Sequence, residues 1–146
     1  RVLFIGSSKG GYSAINFGIE FPNAIILAGA PQYRLGSYLD KPINRPNLVD
    51  IIGEYTAERI AALDHRLEQK ILKNTLAGTQ LCCLHYSNRE HTYEKHIRDL
   101  LADLKSTGMT VYENIADYLE HSDVGKYYPD FLSSAIYAII NEIKNR

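Results

Sequence analysis

The chain opens on four consecutive apolar residues, Val2-Leu3-Phe4-Ile5, that run directly into Gly6-Ser7-Ser8-Lys9-Gly10-Gly11. A short apolar run bounded by glycine reads as a buried strand, and the Gly-x-Ser-x-Gly that follows predicts a sharp strand-to-helix turn with the serine at its apex. Such a turn strains the serine backbone and leaves room only for neighbours nearly free of side chain. Gly6 and Gly10 stand two residues either side of Ser8, whereas Ser7 has no such flanks, so Ser8 is the candidate nucleophile. The backbone N–H of Lys9, one residue further on, is the expected oxyanion donor. Glycine-rich turns after strands also bind phosphates, but neither Gly-x-Gly-x-x-Gly nor Gly-x-x-x-x-Gly-Lys-Ser/Thr occurs here.

Beyond the turn, apolar runs alternate with helical periods, the pattern of a mostly parallel sheet covered by helices on both faces, an α/β three-layer sandwich. Strands are expected over residues 2–5, 24–28, 80–85 and 109–112. Helices are expected over 12–20, where Pro22 stops the run, over 56–72 with Ile60, Leu63, Leu67 and Ile71 on one face, and over 92–105 with Ile97, Leu100, Leu101 and Leu104. A last helix, 130–143, is expected to start just after Pro129. Residues 32–49, with Pro42 and Pro46, read as irregular, and the whole of 32–79 reads as a cap-like insertion over Ser8. All 146 residues form one domain on this reading, with no repeat and no linker.

A formal net charge of −1 gives no electrostatic case for nucleic acid. No apolar run approaches the ~20 residues of a membrane helix, so no membrane insertion is expected. The chain starts on Arg1, not Met, and enters a strand at once, as a piece of a longer protein would. Cys82 and Cys83 are adjacent in a strand and point to opposite faces, so they read as small buried hydrophobes. That usage fits a reducing compartment, and a cytoplasmic location is expected.

A serine hydroxyl needs a general base, usually a histidine held by a carboxylate. When the nucleophile sits on a strand-to-helix turn, the chain order is Ser, acid, His. Of the five histidines, His65 lies on the solvent side of a helix, His85 ends a strand, and His91 and His96 open a helix; only His121 follows the fourth strand. For the acid, Glu90 is the one carboxylate in the loop after the third strand, 31 residues before His121. Asp40, after the second strand, remains a rival, and Asp123 is too close in sequence to reach behind His121. The spacing of His85, His91 and His96 does not place two ligands on one helical face, so no metal is expected, and no cofactor.

With the turn, Glu90 and His121 in that order, the chain resembles the C-terminal half of an α/β-hydrolase fold, its four strands matching that fold's strands five to eight. Gly6-Ser7-Ser8-Lys9-Gly10-Gly11, with Gly29-Ala30-Pro31-Gln32 and Gly36-Ser37-Tyr38-Leu39, is similar to bacterial capsular polysaccharide biosynthesis proteins of this superfamily. A looser likeness is to the glycan O-acetyltransferases of accessory secretion, which use a Ser-Glu-His set. The resemblance implies Ser8 as nucleophile, Glu90 as orienting acid and His121 as base. It also implies a second oxyanion donor on a loop outside this chain. An unpaired edge on the first strand would be completed by an upstream domain or a homodimer partner.

Tyrosine occurs eleven times and tryptophan not at all. Tyr33, Tyr38 and Tyr86, with Tyr55 and Tyr118, fall on segments expected to edge the pocket, where such rings stack on sugars. Lys9 beside the nucleophile would favour an anionic substrate. The expected function is a serine-dependent acyl-ester hydrolase or O-acyltransferase on a carbohydrate-type substrate, in capsular or surface polysaccharide biosynthesis. The alternative is a non-catalytic hydrolase-like module that binds glycan or scaffolds the assembly system. Sequence leaves hydrolysis and acyl transfer unseparated.

Overall fold

The computed structural model of the chain describes residues 1–145. Four strands, β1 (Leu3–Ser7), β2 (Ile25–Gly29), β3 (Leu81–Tyr86) and β4 (Thr110–Ile115), form one sheet in the order β1-β2-β3-β4, with every pair parallel. Between and after them come α1 (Lys9–Gly18), α2 (Leu35–Leu39), α3 (Arg45–Ile52), α4 (Ala57–Leu72), α5 (Arg98–Ser106) and α6 (Val124–Lys144). Parallel neighbours need long crossovers, and the helices supply them. The register pairs Ser7 with Gly29 and Gly29 with His85, so the carboxyl ends of the first three strands lie side by side. In open α/β sheets that is the end where sites form.

The principal core lies on one face of the sheet. There Ile15 of α1, Leu63, Leu67 and Ile71 of α4, and Leu100 and Leu104 of α5 pack with Ile26, Cys82 and Leu84. Every residue of β2 is buried, as its unbroken apolar run requires. Thr56 caps α4 by accepting the Arg59 N–H at 3.3 Å. The buried amide of Gln80 closes the end of α1 by donating to the carbonyls of Ile19 and Phe21 at 3.0 and 2.8 Å. On the opposite face α6 lays Val124 and Tyr128 beside Ala30 and Tyr118, and the Tyr128 hydroxyl donates to the Leu27 carbonyl at 2.7 Å. The α/β sandwich with helices on both faces is therefore as expected.

Several boundaries differ, and three of them bear on the site. Residues 32–49, expected to be irregular, contain α2 and most of α3. Pro46 sits in the first turn of α3, where a missing N–H costs nothing, so it starts a helix rather than breaking one. Residues 93–97 form a π-helical turn ahead of α5. The last helix begins at Val124 and runs through Pro129, because burial of Val124 and Tyr128 fixes the chain before the proline is reached. Within 32–79, α4 belongs to the main core, while α2 carries Tyr38 toward the site.

Among the described residues β1 pairs only with β2, which leaves Leu3 and Ile5 38% and 44% exposed. On α6, Ile140 and Ile143 are exposed as well. Cys82 and Cys83 are free thiols, and burial pushes both above the usual thiol range. Among the described residues, no helix is long and apolar enough to cross a membrane, and no group of three or more His, Cys, Asp or Glu is arranged to hold a metal ion.

Candidate active site

Ser8 joins β1 to α1 with φ 54° and ψ −122°, a conformation rare for any residue bearing a Cβ. Its N–H is tied to the Gly29 carbonyl at 2.7 Å, so the sheet itself holds the strained residue in place. The strand must turn into the helix so sharply that a Cβ on Gly6 would lie 2.1 Å from the Gly10 carbonyl oxygen. Gly11 lies close to Pro31, where an added Cβ would meet the proline Cβ at 3.0 Å. At Gly10 itself an added Cβ meets nothing within 4 Å. The close-packing demand expected at Gly6 and Gly10 therefore falls on Gly6 and Gly11. The N–H of Lys9 opens α1 and is among the first-turn groups that have no carbonyl within the helix.

Three side chains from three loops meet at this turn. Ser8 Oγ lies 2.8 Å from Nε2 of His121, and Nδ1 of the same ring lies 2.5 Å from Oε1 of Glu90. A carboxylate only accepts, so Nδ1 carries the ring proton and Nε2 presents a lone pair to the Ser8 hydroxyl. Thr92 also donates to Glu90 Oε1, at 2.5 Å. The Glu90 side chain is 1% exposed and that of His121 16%. Burial alone would push the Glu90 carboxyl up. The hydrogen bonds from His121 and Thr92, with the positive charge His121 can carry, outweigh it and hold Glu90 below the usual carboxylate range.

The loops that bring these groups together are fastened to one another. Buried Ser87, just past β3, donates to the Tyr118 carbonyl at 2.6 Å and accepts the Tyr118 N–H at 3.3 Å. That clasp sets the distance between the Glu90 loop and the His121 loop. His121 then sits in a short 3-10 turn leading into α6.

The rival acids lie elsewhere. Asp40 accepts from the Tyr55 hydroxyl at 2.7 Å, and Asp123 pairs with Lys126 at 2.6 Å. Two of the three tyrosines expected to bind substrate are structural. Tyr33 is fully buried, with its hydroxyl 2.5 Å from Asp103, and Tyr86 is buried against Tyr93 and donates to Glu113 at 2.6 Å. Their apolar rings fill the core, and an acid at the rim satisfies each hydroxyl. Tyr118 is buried too. Tyr38 alone reaches the site, with its ring edge-on to His121 at 6.0 Å and to His96 at 5.9 Å between centroids. His65 pairs with Glu68 on the surface, and His85 is buried against Phe131 and Tyr118.

Two residues at the site are not among those the sequence nominates for it. Gln32 is fully buried, and its amide nitrogen approaches His121. His96, on the π-helical turn, accepts the Arg34 N–H at Nδ1 (3.1 Å), and burial lowers it to about 4, which keeps the ring neutral. Gln32 lies in a segment without apolar periodicity, and His96 is one of several polar residues in the first turns of a helix whose signal is its apolar face. Beside the serine, not over it, a cleft of about 590 Å³ is lined by Tyr38, Lys41, His91, Lys95, His96 and their neighbours. Among the described residues, Lys41 and Lys95 make no ion pair.

No family model matches the chain, and no curated protein does. Among solved structures, the capsule O-acetyltransferase of Neisseria meningitidis serogroup A matches 91% of this chain and 54% of its own, with a TM-score of 0.72 and 18% identity. A variant of that enzyme in complex with CoA matches 90% and 55%, with a TM-score of 0.71 and 18% identity. FphF, a fluorophosphonate-binding serine hydrolase of Staphylococcus aureus, matches 92% and 52%, with a TM-score of 0.63 and 16% identity. The chain spans about half the length of each of these structures. At such identities the likeness is one of fold, and the fold of this chain is α/β-hydrolase-like.

Proposed function

We propose that the chain carries the serine, base and acid of an acyl-transferring enzyme that forms an acyl-Ser8 intermediate. The observation that carries this reading is the hydrogen-bonded line from Ser8 Oγ through His121 to Glu90, with Ser8 held at a strained turn. Ser8 Oγ attacks the carbonyl of an ester or thioester, and its proton passes to His121 Nε2. The Lys9 N–H faces the developing oxyanion. Collapse of the tetrahedral species expels the alcohol or thiol, which takes the proton from His121. A second hydroxyl then gives its proton to His121 and accepts the acyl group from Ser8. Glu90 holds the ring tautomer throughout.

The acceptor we favour is a carbohydrate hydroxyl and the donor an acyl thioester of the CoA type, in the biosynthesis of a bacterial surface polysaccharide. Support comes from the likeness to a capsule O-acetyltransferase, one of whose structures holds CoA, and from the basic cleft around Lys41 and Lys95 next to Tyr38. The test is a single-turnover measurement on the full-length protein, loaded with acetyl-CoA and then offered polysaccharide. Acetyl appearing on sugar faster than free acetate accumulates is the expected outcome. Acetate alone would make the protein an esterase, and no Ser8 acylation from any ester or thioester would end the proposal.

We also propose that the sheet continues across β1. A strand of unpaired N–H and C=O groups flanked by exposed Leu3 and Ile5 is a template for another strand, from upstream residues or from a second copy. The isolated 146-residue chain is expected to elute as a dimer or larger species, or to need its upstream residues for solubility. A clean monomer whose Ser8 reacts with a fluorophosphonate would refute this.

A further inference from the structure

Gln32 occupies a position that nothing in the general chemistry of the site demands. Its amide nitrogen lies 2.9 Å from His121 Nε2 and 3.3 Å from His121 Nδ1. An atom on the in-plane lone pair of one imidazole nitrogen is far from the other nitrogen. Near-equal distances therefore put the amide over the face of the ring. Both in-plane positions are already taken, Nε2 by Ser8 and Nδ1 by Glu90. The same amide nitrogen is 3.5 Å from the Ala30 carbonyl, which fixes the nitrogen rather than the oxygen toward the ring.

The segment that delivers this amide is held at some cost. Ala30 sits at φ 37°, a left-handed conformation that a residue with a Cβ adopts only under constraint. Its N–H is fastened to the His85 carbonyl at 2.7 Å, and the Gln32 N–H reaches the Ser8 carbonyl at 3.4 Å. Pro31, between them, packs on the bare backbone of Gly11. The far end of the amide, Gln32 Oε1, is buried with no hydrogen-bond partner among the described residues. An apolar side chain of the same length would avoid that orphaned acceptor. Strain and an unmet polar atom within one tripeptide, tied both to the serine turn and to the base, mark a residue kept for its work at the site.

We propose that Gln32 is a positioning residue for His121: its amide N–H braces one face of the imidazole and keeps the ring in the plane that joins Ser8 to Glu90. The role rests on the serine-dependent reading above. An N–H directed at a ring face is weakly attractive to neutral imidazole and opposes an imidazolium. The brace thus steadies the ring while it waits as a base and favours passing the proton on once taken.

The test uses the full-length protein and a fluorophosphonate probe. Gln32→Met keeps the length and volume of the side chain and removes the N–H. The maximum labelling rate of Ser8 is expected to fall on the order of 10- to 100-fold, as for a small displacement of a reacting group. The probe concentration giving half that rate should be unchanged. In proton NMR, the low-field signal of the His121 Nδ1–H bound to Glu90 should be sharp in the parent protein and broadened in the variant. A purely structural role would move the melting temperature and leave this split absent. If Gln32→Met melts far below the parent, Gln32→Asn, whose amide is withdrawn by one methylene, takes its place with the same expected split. Parent-like labelling and a sharp low-field signal in either folded variant would overturn the proposal. A parent protein with neither signal nor labelling would instead remove the serine-dependent reading itself.

Discussion

Ser8→Ala and His121→Ala are each expected to abolish acyl transfer, and the double variant to be no worse than either single one. Ser8 without its base is an alcohol at its ordinary reactivity, and His121 without Ser8 has no proton to take. Each residue works only through the 2.8 Å contact with the other. Groups acting as one unit lose their joint contribution when any member goes, and the loss in turnover for such sets is on the order of 10^4- to 10^6-fold. Glu90→Gln tests the third member differently. The amide can present its N–H to Nδ1, which then becomes the acceptor and turns the ring proton toward Ser8, the wrong tautomer for a base; a fall of about 10^4-fold is expected. Residual acetyl-CoA turnover checks all four proteins, and fluorophosphonate labelling with peptide mapping checks Ser8 in the two that keep it. Additive losses in the double variant, or a Glu90→Gln protein within tenfold of the parent, would show that the observed contacts are not the working unit.

The line from Ser8 to Glu90 was legible because each member is announced by something local. The Val2–Ile5 run and its glycines mark the turn, and the loops after β3 and β4 each offer one suitable residue. Helix α4, expected over 56–72 and found at Ala57–Leu72, was legible to within one residue because its apolar spacing is regular. Helix α2 was not. Its five residues are too few for a period, and it is held from outside. The Ser37 N–H donates to an Asp64 carboxylate oxygen at 2.8 Å, and Gly36 presses on the Ile60 carbonyl, where a Cβ would stand 2.3 Å from the oxygen.

The sequence could not separate the tyrosines, for a related reason. Tyr33 and Tyr38 follow β2 and Tyr86 ends β3, and nothing in the sequence ranks one above the others. Only the fold decides that Asp103 and Glu113 claim two of the hydroxyls while Tyr38 is left beside His121. Gln32 is the same case in reverse. A polar residue in an unpatterned loop is expected to face water, and burial that overrides this expectation is a property of packing, not of spacing.

Gly6→Ala is expected to be the most damaging single-methyl change in the chain, and Gly10→Ala close to neutral, although the serine motif treats the two glycines alike. At Gly6 the new methyl would stand 2.1 Å from the Gly10 carbonyl oxygen, 2.3 Å from the Gly10 carbonyl carbon and 3.0 Å from the Gly11 nitrogen. All three are backbone atoms, so no rotamer change relieves the clash. Either the turn opens, moving Ser8 Oγ off the His121 lone pair and the Lys9 N–H off the oxyanion, or the strand-to-helix junction does not form. Overpacking against flexible side chains costs about 1–3 kcal/mol; against rigid backbone the cost should exceed that and consume much of the ~5–15 kcal/mol that keeps a domain folded. At Gly10 the methyl meets open space at the start of α1, and alanine favours the helix over glycine by up to about 1 kcal/mol. Thermal melts together with probe labelling separate the two. Gly6→Ala should melt well below the parent or fail to fold, with Ser8 labelling lost in whatever folds, while Gly10→Ala keeps both. Equal behaviour of the two variants would mean that the turn tolerates opening, and that the strained Ser8 backbone is not what aims the hydroxyl at His121.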